Sequence, residues 1–66
     1  MWEFMERVAA AAIRQGFWVR QTEKGQYIFR NGNVYVIFPV PEDYQQWRQV
    51  LSDLVRAGLI WPPPRR

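Results

Sequence analysis

The sequence predicts an α+β domain of order α-β-β-β-α, with a three-stranded antiparallel sheet and two helices packed on one of its faces. Three observations carry that prediction. Residues 26–38 hold two runs of β-branched and aromatic residues joined at Asn31-Gly32, the strongest short-range hairpin signal. On either side lie stretches with apolar residues at helical spacing, ending at Gly16 and Gly58, where glycine is the usual helix stop. Between hairpin and second helix stand Pro39 and Pro41, and neither can donate to a strand ladder.

The first helix is expected from Trp2 to Gln15. Met5, Val8, Ala9, Ala12 and Ile13 form its apolar stripe, with Trp2 one turn earlier. Ala9 to Ala12 are four consecutive alanines, the best helix former. Glu3 and Glu6 near the start and Arg14 in the last turn suit the helix dipole. Phe17 to Thr22 then alternates Phe17 and Val19 with Trp18 and Arg20, and the polar turn Glu23-Lys24-Gly25 returns the chain. This first strand should pair antiparallel with Gln26 to Arg30.

A type I′ turn at Asn31-Gly32 sets Arg30 opposite Asn33, Phe29 opposite Val34 and Ile28 opposite Tyr35, because that turn needs positive φ at both central residues. Successive side chains fall on opposite faces. Tyr27, Phe29, Val34, Val36 and Phe38 make one face, which is expected to be half of the core. The other face carries Gln26, Ile28, Arg30, Asn33, Tyr35 and Ile37, joined by Trp18 and Arg20 from the first strand. It is expected to stay clear of the helices.

In the second helix Pro41 is expected in the first turn, followed by Glu42 and Asp43. Those acids sit about 100° apart on a helix, so they are dipole-matching residues and not a catalytic pair. Tyr44, Trp47, Leu51, Leu54 and Val55 form the expected apolar stripe, with Leu59 as the apolar companion of Gly58. Residues 1–61 make one domain, and 62–66 a Pro/Arg-rich tail. Three prolines favour polyproline II there, while Ile60 and Trp61 can drape over the core.

Composition narrows the function. Sixty-six residues, 48% hydrophobic and 17% aromatic, suit one small folded domain and not a disordered chain. With no cysteine and no histidine, there is no disulfide, no thiolate metal site and no ordinary acid/base near neutral pH. No metal or other cofactor is expected. The net charge is +3, and eight of nine cations are arginine, suited to phosphate and carboxylate contacts. No stretch approaches the roughly eighteen apolar residues of a membrane span, so a soluble, cytoplasmic protein is expected.

Several local strings point further. Arg14-Gln15-Gly16-Phe17, Val19-Arg20-Gln21, Lys24-Gly25 leading into Tyr27-Ile28-Phe29-Arg30, Asn31-Gly32, Phe38-Pro39-Val40-Pro41 and Leu54-Val55-Arg56-Ala57-Gly58-Leu59 together resemble the HicA toxin family. The similarity runs from about Val8 to Leu59. It implies a double-stranded-RNA-binding-like fold of the same element order, RNA as substrate and an antitoxin protein as partner. In that family a histidine just after the Lys-Gly turn is catalytic; here Gly25 is followed by Gln26. An amide has no useful pKa and relays no proton. The resemblance therefore implies a binding scaffold without ribonuclease activity.

The expected function is RNA binding through the helix-free face: Trp18, Arg20, Gln26, Ile28, Arg30, Tyr35 and Ile37, with Arg7, Arg14 and Lys24 as accessory cations. The rings would stack bases and the guanidiniums meet phosphate. The alternative is a protein–protein module acting through the same aromatic and arginine surface, possible also as a homodimer. A third is a winged-helix-like DNA binder reading bases with Gln45, Gln46, Arg48, Gln49 and Arg56, though the chain has no room for the third helix.

Overall fold

A computed structural model describes residues 2–63, Trp2 by its backbone alone. The Trp2 end of the first stripe and the polyproline II reading of residues 64–66 lie outside the described residues. The elements are α1 (Trp2–Arg14), β1 (Trp18–Gln21), β2 (Tyr27–Asn31), β3 (Val34–Phe38) and α2 (Tyr44–Arg56). The strands form one antiparallel sheet in the order β1-β2-β3, so the α-β-β-β-α order and α+β class hold.

Both helices end alike. Beyond α1 the Phe17 N–H donates to the Ala12 carbonyl at 2.9 Å and that of Gly16 to Ile13 at 3.0 Å. Beyond α2, Leu59 donates to Leu54 at 2.9 Å and Gly58 to Val55 at 3.0 Å. These are Schellman closures, and each fixes a buried apolar residue, Phe17 or Leu59, against the helix it terminates. The start of α2 corrects the sequence reading. Pro41 lies before the helix, and Asp43 is its N-cap, accepting from the Gln46 N–H at 2.9 Å. Gln46 in turn accepts from the Glu42 N–H through Oε1 at 2.9 Å, so Asp43 and Gln46 together satisfy two otherwise free donors.

The core lies between the sheet and the helices, as the face assignment requires. Phe29 is wholly buried, with its ring 5.5 Å from Phe38, 6.1 Å from Tyr27 and 6.5 Å from Phe17. Over these rings pack Met5, Val8 and Ala12 from α1 and Trp47, Val50 and Leu54 from α2, with Ala57 at its C-cap. Both stripes are rotated from the expected ones. Ile13, Tyr44 and Val55 are exposed, whereas Ala11, Val50 and Ala57 are buried. The helices bury surface against each other as well as against the sheet, as the Phe4–Trp47 ring pair at 5.4 Å shows. On α2 the exposed Tyr44 and Val55 line a groove with Leu51 and Trp61, while Ala57 sits against Asn31 of the sheet.

The hairpin corrects the sequence reading more sharply. Arg30 pairs with Tyr35, Phe29 with Val36, Ile28 with Ile37, and Asn31 with Val34, so the turn is Gly32-Asn33 and not Asn31-Gly32. Gly32 has φ +63°, and among the described residues none other than glycine has positive φ, the pattern of a type II′ turn with glycine in its first central position. Asn31 is drawn out of the turn because its Nδ2 donates to the Ala57 carbonyl at 2.8 Å, capping an otherwise free acceptor at the end of α2. Each partner on β3 moves by two residues, and an even slip leaves every side chain on its face.

Two expected outcomes follow. Gly32→Ala should lower stability by about 1–2 kcal/mol, since a Cβ disfavours that φ. Asn33→Ala should change it by less than about 0.5 kcal/mol; thermal melts of the pair check the turn assignment. Gly58, at φ +111°, would place a Cβ 2.7 Å from Asn31 Nδ2. Gly58→Ala should therefore cost about 2 kcal/mol or more by denaturant titration, and less when Asn31 is already alanine, because the two changes break one contact.

Candidate nucleic-acid interface

The sheet face away from the helices is built by register. Trp18 pairs with Arg30 and Arg30 with Tyr35, giving one row across all three strands; Arg20, Ile28 and Ile37 give the next. Strands lie about 4.8 Å apart, so Trp18 and Tyr35 stand about 10 Å apart with Arg30 between. The Arg30 guanidinium carbon is 5.2 Å from the Trp18 ring centroid and 6.0 Å from that of Tyr35, within cation–π range of both. Trp18 is 43% exposed, Tyr35 58% and Ile37 57%, while Ile28 is half-buried. The single ion pair among the described residues, Arg56 to Asp53 at 3.9 Å, lies on α2. Arg20 and Arg30 thus make no ion pair among the described residues.

Gln26 precedes β2 and is held from the β1–β2 loop. Its N–H donates to Thr22 Oγ1 at 3.1 Å, and its carbonyl accepts from the Thr22 N–H at 2.8 Å. Its side chain lines a shallow polar depression of about 410 Å³ with Arg20, Thr22, Glu23 and Lys24. Lys24 therefore joins the face at one end. Arg7 and Arg14 do not: they line a groove beside Phe4, Ala10, Ala11, Trp61 and Pro63 in the helix layer. The cations of the sheet face reduce to Arg20, Lys24 and Arg30. Arg48, over the Tyr44 ring at 5.9 Å, borders a depression on α2 with Gln45, Gln49 and Ser52, again in the helix layer.

Chemically the row is two aromatic surfaces separated by a cation. The flanking rings restrict Arg30 before any ligand arrives, which lessens the rotamer entropy lost on contact. No family model matches this chain, and neither the curated proteins nor the solved structures give a significant match. The site stands on its own geometry. Among the described residues there is no cluster of three metal-ligating side chains, and no helix is long and apolar enough to cross a membrane.

Two positioning residues carried no recognisable sequence signal. Asn31 ties the hairpin to α2, as above. Gln15 ties the C-terminal segment to α1: its Nε2 donates to the Ile60 carbonyl at 3.1 Å, and its Oε1 accepts from the Ile60 N–H at 2.8 Å. That amide holds the chain where Trp61 packs, half-buried, on the core. Asparagine or glutamine beside a turn fits many roles, and only the approach of a distant backbone selects one.

Proposed function

We propose that this protein binds RNA through the helix-free face of its sheet, on a HicA-like scaffold in which Gln26 stands at or beside the family's histidine position. The observation that supports this most is the Trp18–Arg30–Tyr35 row, exposed and, among the described residues, lacking an acidic neighbour in ion-pair contact. Rings offer base stacking whatever the sequence. Arg20, Arg30 and Lys24 supply phosphate contacts. The reading is of binding without cleavage, since a glutamine amide supplies neither general acid nor base.

The test is a titration of short labelled RNA at several salt concentrations. Three phosphate contacts on a single strand predict a slope of about −2 for log affinity against log salt. Arg30→Gln should reduce it by roughly 0.7. Absence of binding, or binding indifferent to salt, would overturn the reading.

A second reading is favoured by one feature: Trp18, Tyr35 and Ile37 together expose apolar surface around an arginine, the composition of an interface core. A protein partner seated there would cover Trp18 and leave no platform for bases.

A further inference from the structure

The outer edge of β3 is not used by the RNA reading. β3 is the last strand and pairs on one side, with β2. Asn31 and Val34 flank a two-residue turn and so form a hydrogen-bonded pair. Alternation then turns the backbone groups of Val34, Val36 and Phe38 toward β2 and those of Tyr35 and Ile37 outward. The far side of β2 agrees. The Thr22 N–H donates to the Gln26 carbonyl, so β2 offers its even-numbered residues to β1 and its odd-numbered ones to β3. Among the described residues no backbone or side-chain group bonds to the outward groups of Tyr35 and Ile37.

Open edges are usually blunted by lysine, proline or a bulge. β3 runs Val-Tyr-Val-Ile-Phe with no charge, and Val34 is 47% exposed beside Tyr35 and Ile37. β1, the other edge, has four residues and carries Arg20. The asymmetry leaves one edge free to pair.

The geometry points to a second copy of this chain as the occupant, in an antiparallel β3–β3 pair about a twofold axis at Val36 that makes a six-stranded sheet. Tyr35 of each copy then faces Ile37 of the other, and every outward donor and acceptor of these residues is used. Other twofold registers are poorer. Centring on Ile37 sets Tyr35 against Pro39, which has no N–H, and centring on Tyr35 sets Ile37 against Asn33 in the turn. In the Val36 register Val34, exposed on the inner face, falls opposite Phe38 of the second copy. An uncharged strand offers a charged partner no complementarity, whereas a twofold requires only that β3 be complementary to itself.

The axis stands perpendicular to the sheet, so both helix-free faces lie on one side and both copies of Trp18 and Arg30 stay uncovered. The edges remaining are the short β1 strands with Arg20, so assembly closes at two. Five residues per copy is small beside the roughly 800 Å² per partner of a standard interface. The dimer is weak and concentration-dependent, and it stands independently of RNA binding.

Sedimentation velocity over a wide range of protein concentration, without RNA, tests it. A reversible monomer–dimer equilibrium is expected, with the Tyr35 and Ile37 amides exchanging more slowly as the dimer forms. Ile37→Lys places a charge at the pairing edge, and a synthetic chain N-methylated at Ile37 removes one outward donor without touching the β2–β3 ladder. Each should weaken dimerisation by about tenfold or more with unchanged circular dichroism; if the lysine variant unfolds, the N-methylated chain carries the test. A chain monomeric at every concentration overturns the inference, as does a dimer that survives both changes.

Discussion

Phe29→Ala is expected to lower the melting temperature by about 12–40 °C. The side chain has no exposed surface and touches the rings of Phe17, Tyr27 and Phe38. Truncating a buried phenylalanine costs about 3–5 kcal/mol through lost burial and the cavity left behind. A domain of this length has roughly 3–10 kcal/mol of stability in all, so the loss takes about a third of it or more. Far-UV circular dichroism and a thermal melt are the measurement. Ile13→Ala is the control: Ile13 is 57% exposed, and its removal should shift stability by no more than about 0.5 kcal/mol. Equal losses in the two variants would mean that the core has been placed on the wrong face of the sheet.

Replacing Trp18 and Tyr35 together with alanine should abolish most RNA binding while the fold persists. Stacking is worth roughly 1–3 kcal/mol per base, so two lost platforms weaken binding by about 30-fold at the least. Arg30 loses two exposed cation–π neighbours, each worth about 0.5–1 kcal/mol, so stability should fall by less than about 2 kcal/mol. Binding isotherms beside a melt separate the two effects. Trp18→Ala alone isolates the platform from the β3 edge, which Tyr35 shares. Undiminished affinity in a folded double variant would remove this face from RNA recognition.

The sheet faces were legible because they depend on parity alone. Tyr27, Phe29, Val36 and Phe38 point inward and Trp18, Ile28, Arg30 and Tyr35 outward whether the turn closes at residue 31 or 32. The turn itself was misread because Asn-Gly is a strong local signal, and the competing Ala57 carbonyl lies 26 residues away. The candidate site was legible to the same degree. Its row on the strands could be listed from alternation, but Arg7 and Arg14 could not be excluded from it, since a helix period gives no direction relative to a sheet it has yet to meet.

The order of elements, the helix stops at Gly16 and Gly58 and the inward or outward sense of each strand residue were determined by the chain's local chemistry, because φ preferences and side-chain period act over a few residues. Tertiary structure alone decided which arc of each helix is buried, where the hairpin turns and which cations share a surface with Trp18. Those depend on groups far apart in sequence competing for the same space and the same hydrogen bonds, and that competition is settled only when the helices close over Phe29.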